Sequence, residues 1–195
     1  MRALLLLVAL LSACTASRAG VTNSAQPTHV TQMAPLAASH LVVGDIDEEG
    51  VSAGKAFFKR ARGPVAVTFR SFGGSVYDGL ELLRAMEEFP YAITCRIEVA
   101  MSMGAVLTSA CTYRMGIPRT IMMMHGPSGG ARGKSGDLST AGDHLRVVSL
   151  ALGRQFCGRL KMPMEVCLSK FDGHREWFFD AEEALAVGAI DYIAK

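Results

Sequence analysis

The sequence contains little charge of either sign and few aromatic residues. Charged residues make up 19% of its 195 positions, aromatic residues make up 7%, and the formal net charge is +2. It has no basic run and no stripe of interleaved basic and aromatic residues. Because such features form the binding surface of many nucleic-acid-binding proteins, we expect no nucleic-acid partner. Hydrophobic residues account for 50% of the sequence, which favours a globular domain over a disordered chain.

The sequence also lacks an apolar run long enough to span a bilayer as a helix. The longest run, Ala3 to Leu11, follows a short positive start and is typical of a signal peptide. It leads into Leu11-Ser12-Ala13-Cys14, which resembles the bacterial lipobox. We therefore predict a signal peptide with a lipobox at residues 1–14, a lipid anchor at Cys14, and an exported, periplasm-facing membrane lipoprotein. The alternative is an ordinary secretory signal cut near Ala19, which also exports the protein.

The remaining chain divides into a tether and one domain. Residues 15–39 are rich in Ala, Ser, Thr, Gln and Pro without apolar periodicity, which predicts a flexible tether. From residue 40 to residue 195, β-rich runs alternate with segments of helical periodicity, which predicts a single α/β domain with a largely parallel sheet. The predicted strands are 41–43, 65–69, 92–97, 120–124 and 189–193, and the predicted helices are 45–62, 76–89, 103–110, 138–160, 164–170 and 181–187.

Five cysteines are present, and none has the spacing of a zinc motif, so we expect no metal site. Setting Cys14 aside leaves an even number, which suits disulfides in an oxidising compartment. We predict Cys95–Cys111, which ties the strand before Ser102 to the end of the next helix. We also predict Cys157–Cys167, which returns one helix against the next. The alternative is four small buried thiols.

Three segments place a reactive residue or paired glycines where a strand ends. Ser102 stands between a predicted strand and a predicted helix, beside the unpaired N–H groups of the first helical turn. Acyl transfer needs such a nucleophile next to donors for the developing oxyanion. His125 ends an apolar strand, and Gly73-Gly74 lets another backbone approach closely. Taken singly, each has an ordinary explanation as a helix cap, a structural histidine and a tight turn.

Taken in order, these segments resemble the Clp-protease proteolytic-subunit family. The motifs are Gly-Gly-Ser-Val at 73–76, Met-Ser-Met-Gly-Ala at 101–105 and Met-His-Gly-Pro at 124–127, with a similar tail at 181–191. The resemblance covers roughly residues 40–195. It implies the ClpP/crotonase-like fold, an α/β domain of repeated β-β-α units with a largely parallel sheet. It also implies a serine-type endopeptidase that needs no cofactor.

The resemblance further implies a role for each site residue. Ser102 is the nucleophile and His125 is its base. The backbone N–H groups of Gly74 and Met103 form the oxyanion hole. The segment Gly74, Ser75 and Val76 holds an extended substrate by strand addition.

The third member of the triad departs from the family pattern. The family carries an aspartate five positions before the alanine that matches Ala181, and this chain has Glu176 there. A glutamate side chain is longer by one methylene, so the local backbone has to compensate. Asp172 is the alternative that orients His125, and Asp180 is a more distant one. A carbonyl group or a water molecule in place of any acid is the remaining alternative.

The resemblance implies a closed homo-oligomer paired through residues 129–160, where apolar residues at helical spacing exceed what one domain needs to cover. Export and the tether, which replaces the family's axial-loop segment, lead us to expect no ATPase partner. We expect ATP-independent cleavage of peptides or unstructured segments. Two other functions stay open, a crotonase-type acyl-CoA enzyme of the same fold and a catalytically weak scaffold or binding protein. The apolar residues at helical spacing within residues 129–160 are Leu145, Val148, Leu152 and Phe156.

Overall fold

The computed structural model describes residues 39–171 and 175–195. The predicted signal peptide, Cys14, nearly all of the predicted tether, and Asp172 lie outside the described residues. Within the described ranges, no helix is both long and apolar enough to cross a membrane.

A six-stranded sheet forms the centre of the domain, in the order β1-β2-β3-β4-β5, with β6 also paired to β4. The described strands pair in parallel except for β4 and β5, which are antiparallel. Because parallel strands end at the same edge, the carboxyl ends of β2, β3 and β4 lie together. The strands are β1 His40–Val43, β2 Val65–Ser71, β3 Ile93–Met101, β4 Tyr113–Met124, β5 Trp177–Phe179 and β6 Tyr192–Ile193.

The helices begin at residues that cap them. Asp47 accepts a hydrogen bond from the Gly50 N–H at 2.8 Å, and acidic residues follow in the first turn of α1. Asp180 and Glu183 form a capping box at the start of α6. A one-turn 3₁₀ helix, Thr108–Ala110, continues α3. The α-helices are α1 Glu48–Arg60, α2 Val76–Glu87, α3 Met103–Leu107, α4 Ser135–Cys157, α5 Met164–Phe171 and α6 Ala181–Val187.

The predicted single α/β domain with a largely parallel sheet is confirmed, but the sequence missed the first half of β4 and all of β5, and the predicted last strand, 189–193, is only Tyr192–Ile193. β4 begins at Tyr113 and not at residue 120. A charged residue, Arg114, and a proline, Pro118, make its first half look unlike a buried strand. Arg114 is nevertheless only 6% exposed, because a distant carboxylate pairs with it. The three-residue strand β5 was also missed, since so short a run has no detectable period.

Both predicted disulfides are present. Cys95–Cys111 joins β3 to the segment after α3, and Cys157–Cys167 joins the end of α4 to α5. The Cα–Cα distances are 5.9 Å and 5.8 Å, within the usual range for disulfides. All four cysteines are buried, so each bridge lies inside the packed domain.

Helix α4 is buried only in its second half. Leu152 and Phe156 pack into the core of the domain, and Val148 packs partly against it. Leu138, in the first half of the helix, and Val147, just past its midpoint, are exposed. The predicted apolar stripe therefore covers the chain's own core at one end, while separate apolar side chains face outward at the other.

Candidate functional site

The site forms where β3 and β4 end side by side. Met101 pairs with Met123, and the N–H of Ser102 donates to the carbonyl oxygen of Met123 at 2.8 Å. His125 follows two residues after Met123, just beyond the end of β4. The register thus brings Ser102 and His125 to one edge of the sheet, on neighbouring strands.

Ser102 has a strained backbone. Its φ is 52° and its ψ is −125°, and it is the only non-glycine residue with positive φ among the described residues. Such a conformation costs about 1–3 kcal/mol and persists only where the surroundings enforce it. The side chain makes no capping hydrogen bond to α3, which argues against a simple helix cap. A sharp, strained turn from strand to helix is typical of serine nucleophiles because it exposes the hydroxyl.

The Gly73-Gly74 loop lies directly against this turn. A Cβ on Gly73 would stand 2.7 Å from the Cβ of Ser102, and Gly73 has φ of 101°. A Cβ on Gly74 would stand 2.3 Å from the carbonyl oxygen of Ile46, and Gly74 has φ of 144°. Both positions therefore require glycine, for conformation and for space. Gly73 of this loop is therefore in close contact with Ser102.

Ile46 holds the loop in shape from its other side. The Ile46 N–H donates to the Gly73 carbonyl at 2.9 Å, and the Ser75 N–H donates to the Ile46 carbonyl at 2.8 Å. Ser71 contributes its hydroxyl, which accepts from the Gly73 N–H at 3.1 Å. Sequence reasoning missed both Ile46 and Ser71, since nothing in the sequence shows that residue 46 pairs with residue 74.

Two backbone donors remain next to the serine. Neither the Gly74 N–H nor the Met103 N–H has a hydrogen-bond partner within residues 39–171 and 175–195. These are the two groups that the family resemblance predicts for the oxyanion hole. The predicted substrate-binding edge is shorter than expected, because the Ser75 N–H is engaged and Val76 is already the first residue of α2.

His125 is partly buried, and its ring makes no hydrogen bond to any residue in the described ranges. The Oγ of Ser102 is likewise without a partner there. Catalytic hydrogen bonds are often long before substrate binds and tighten only in the complex, so this geometry is compatible with a base beside its nucleophile. No cluster of His, Cys, Asp or Glu that could hold a metal ion occurs within the described parts of the chain.

The antiparallel pairing of β4 with β5 distinguishes the acidic candidates. Met124 pairs with Trp177 at the end of the ladder, so His125 and Glu176 each follow one residue beyond this last pair. Asp180 lies beyond the far end of β5, where its carboxylate caps α6 by accepting from the Glu183 N–H at 2.8 Å. The register favours Glu176 over Asp180, and Asp172 lies outside the described residues.

A bulge in β3 precedes the site, and ion pairs stabilise it. The pairing of β3 with β2 passes from Ile97 directly to Val99, which leaves Glu98 as the additional residue in β3. The Glu98 carboxylate accepts from the Nε of Arg70 and from the Nε of Arg96, each at 2.9 Å. These hydrogen bonds, that of Arg70 before that of Arg96, lower the pKa of Glu98 to about 2. The Glu98 carboxylate is thus ionised at neutral pH.

The fold and this strand edge define an α/β protein with a serine elbow, a neighbouring histidine and a glycine loop, the arrangement of serine hydrolases. The family model described as Clp protease matches residues 59–195, which include all the predicted catalytic positions. The chain belongs to the Clp protease family.

Relatives include two cyanobacterial proteins and one from Thermobifida fusca. The ATP-dependent Clp protease proteolytic subunit 2 of Parasynechococcus marenigrum is 33% identical over 124 residues, which are 62% of each chain. Subunit 1 of Prochlorococcus marinus subsp. pastoris has the same identity and coverage. Subunit 2 of Thermobifida fusca is 33% identical over 132 residues, 66% of this chain and 64% of that one. The matched part is less than two thirds of the length of each relative.

Proposed function

We propose that this protein is a serine endopeptidase that cleaves peptides and unstructured protein segments. The observation that carries the proposal is the strained backbone of Ser102 at a strand-to-helix turn, in contact with the Gly73-Gly74 loop. A serine kept at positive φ is unfavourable for stability, so the strain indicates a function for the exposed hydroxyl. Membership of the Clp protease family supports the same reaction.

In the proposed first half-reaction, Ser102 and His125 act together. His125 takes the proton of the Ser102 hydroxyl as Oγ bonds to the carbonyl carbon of the scissile peptide. The carbonyl oxygen becomes an oxyanion and accepts hydrogen bonds from the N–H groups of Gly74 and Met103. The C–N bond then breaks, and His125 gives its proton to the leaving amine. An acyl ester on Ser102 remains.

In the second half-reaction, water replaces the amine. His125 takes a proton from the water as the water oxygen bonds to the acyl carbon, and the same two N–H groups stabilise the second oxyanion. The ester bond breaks, the proton returns to the Ser102 oxygen, and a carboxylic acid leaves. Both halves use one base and one pair of donors, so no cofactor is needed.

Glu176 is proposed to orient His125 and to stabilise its protonated form. The positions of Glu176 and His125, each one residue beyond the Met124–Trp177 pair, support this role. Because Glu176 is exposed, its carboxylate has room to adjust for the additional methylene. Glu176 is therefore the acid of the proposed triad, in place of the aspartate that the family pattern carries.

The proposed substrate is an extended chain. The Gly74 N–H and the Val76 N–H in the first turn of α2 have no hydrogen-bond partner among the described residues, whereas the Ser75 N–H bonds to Ile46. Few main-chain groups are therefore left to pair with a substrate strand. A short binding edge suits a peptide or a locally unfolded segment, because a folded protein has to pay local unfolding free energy first. The mature protein is proposed to be exported and anchored at Cys14, so its activity is proposed to be independent of ATP and of an unfoldase.

A homo-oligomer is part of the proposal. The exposed apolar residues Leu138 and Val147 on α4 support a contact with a second copy. Native mass spectrometry of the purified mature protein tests this assembly. A monomer that retains full peptidase activity would contradict it.

Metabolic labelling with a palmitate analogue tests the anchor. The wild-type protein should carry label and Cys14→Ser should not. Equal label on both would exclude lipidation of Cys14.

The peptidase proposal is tested with three substrates, each with and without ATP: a fluorogenic peptide, an unfolded protein and a stable folded protein. We expect cleavage of the first two, little cleavage of the third, no effect of ATP, and no cleavage by Ser102→Ala. Absence of cleavage by the wild-type protein would favour a scaffold or binding function. Degradation of the folded protein only with ATP would contradict the ATP-independent activity.

A further inference from the structure

The Cys95–Cys111 disulfide encloses the segment that carries Ser102. Cys95 lies seven residues before Ser102 on β3, and Cys111 lies nine residues after it, beyond α3 and the 3₁₀ turn. The two cysteines are 0% and 1% exposed. The strained turn is therefore near the middle of a covalently closed loop whose two ends are fixed to each other in the core.

The side of the turn that precedes Ser102 is held by strand pairing, whereas the other side, α3, is held by the packing of its five buried residues and by what fixes its ends. Upstream, β3 pairs with both neighbouring strands, and the Ser102 N–H bonds to Met123. Downstream, α3 has five residues and is followed by one 3₁₀ turn. Helices this short are not stable through their own hydrogen bonds, so their position depends on packing and on what fixes their ends.

We propose that the Cys95–Cys111 disulfide is a positioning device for the nucleophile, which keeps Ser102 in its strained, exposed conformation by fixing the far end of α3. The proposal rests on the proposed function, since it gives Ser102 the role of nucleophile. Without the bridge, α3 can shift and the turn can relax to a more populated backbone conformation. The hydroxyl then spends less time beside the Gly74 and Met103 N–H groups.

The sheet does not depend on this bridge for its strand pairing. Thr112, the residue after Cys111, accepts from the Ile93 N–H through its hydroxyl at 3.0 Å. Its own N–H donates to the Ile93 carbonyl at 2.9 Å. These bonds hold the start of β4 beside β3, so a variant without the disulfide should fold with its sheet intact and with α3 less fixed.

The second disulfide provides a matched control. Cys157–Cys167 is equally buried and also lies inside the domain, but the ten-residue separation it closes contains no proposed site residue. A purely structural effect of losing a buried bridge should appear in both variants. An effect on the nucleophile should appear only when Cys95–Cys111 is removed.

The experiment compares the full-length protein with Cys95→Ala/Cys111→Ala and with Cys157→Ala/Cys167→Ala, well below the melting temperature of each. It measures the rate of Ser102 phosphonylation by a fluorophosphonate, and kcat and KM for a fluorogenic peptide. We expect the first variant to lose about tenfold in phosphonylation rate and in kcat with little change in KM, because the hydroxyl spends less time in its exposed position. The control should stay within about twofold. If the first variant does not fold, Cys95→Val/Cys111→Ala, which fills the lost volume, replaces it.

Hydrogen exchange in the same three proteins separates the possible failures. Faster exchange of the α3 amides in the first variant alone supports the proposal. Equal losses in both variants, or no loss in either, would overturn it while leaving the peptidase function intact. If wild-type Ser102 does not react with the probe at all, the proposed function fails instead. Unchanged exchange of α3 in the first variant would then overturn the positioning role as well.

Discussion

The two ends of β4 are built in opposite ways. At its start, the buried guanidinium of Arg114 donates to both carboxylate oxygens of Asp191, with Nη2 at 2.6 Å from Oδ1 and Nε at 3.2 Å from Oδ2. Its Nη1 also donates to the carbonyl oxygens of Gly188 and Ala189. At its end, the side chains of His125 and Ser102 have no hydrogen-bond partner among the described residues, and the Ser102 backbone is strained.

This difference separates stability from function along one strand. At the start of β4, the carboxylate of Asp191 pairs with the buried charge of Arg114, and this pair fixes the C-terminal segment to the sheet. The second end leaves donors, a hydroxyl and an imidazole ring without partners among the described residues, and it retains strain. A substrate can use groups of the second kind but not of the first. Changes at the first end should therefore alter folding, and changes at the second should alter activity.

The largest expected effect is the loss of activity in Ser102→Ala. We expect kcat/KM for a fluorogenic peptide to fall by about 10⁴-fold or more, because the nucleophile itself is removed. Ser139→Ala, an exposed serine on α4, is the control and should retain full activity. A fall of less than tenfold in Ser102→Ala would mean that another residue is the nucleophile.

Next in size is the effect of Glu176→Gln. The amide keeps the size of the side chain but cannot stabilise a protonated His125, so we expect kcat to fall by about 10²–10⁴-fold. Glu182→Gln, an exposed glutamate in the first turn of α6, is the control. Normal kcat in Glu176→Gln would exclude this acid. Loss in Asp172→Asn would then identify Asp172.

At the other end of β4, Arg114→Ala should lower the free energy of unfolding by about 2–4 kcal/mol. The substitution leaves Asp191 and two carbonyl groups without their charged donor. Urea denaturation measures the change, and Arg84→Ala, which breaks an exposed pair with Glu88, should change the free energy of unfolding far less. Folded Arg114→Ala should keep its kcat. A large loss of kcat in folded protein would remove the separation between the two ends.

A smaller effect tests the strain directly. Ser102→Gly should be more stable than Ser102→Ala by about 1 kcal/mol, because glycine adopts positive φ without a Cβ penalty. The same pair at Ser139 should show the opposite order, since alanine is favoured inside a helix by about 1 kcal/mol. Urea denaturation of the four variants measures both differences. Equal stability of the two Ser102 variants would mean that the backbone there is not strained.

The smallest effect concerns the bulge at Glu98. Its pKa is lowered from an ordinary value of 4.5 to about 2 in the folded protein, so its contribution is present above pH 4.5 and is lost as pH falls toward 2. The contribution should be below about 1 kcal/mol, since Arg70 and Arg96 are 61% and 42% exposed. Glu98→Gln should therefore be slightly less stable than wild type at pH 7, with a gap that narrows below pH 4.5. A pH-independent gap in melting temperature would contradict the ion-pair explanation.

The sequence predicted those features that depend on neighbours along the chain. The strand-to-helix junction at Ser102, the paired glycines and the order of helices and strands are all local signals. Both disulfides also followed, because each joins segments that are adjacent in the predicted order. The position of Glu176 was found by comparison with the family spacing and not from chemistry.

Features that depend on residues far apart in the chain could not be predicted from the sequence. The first half of β4 was missed because Arg114 is acceptable in a buried strand only when Asp191, 77 residues later, pairs with it. The support of the glycine loop by Ile46 was missed for the same reason. The antiparallel pairing that ends at Met124 and Trp177, one residue before His125 and Glu176, requires β5, whose three residues carry no periodic signal.

The most direct test of the central claim is to react the purified protein with a fluorophosphonate and map the modified residue by peptide mass spectrometry. The account predicts a single adduct on Ser102, formed more slowly in Glu176→Gln and absent from Ser102→Ala. An adduct on another residue, an adduct that persists in Ser102→Ala, or no adduct at all would contradict the assignment of Ser102 as the nucleophile.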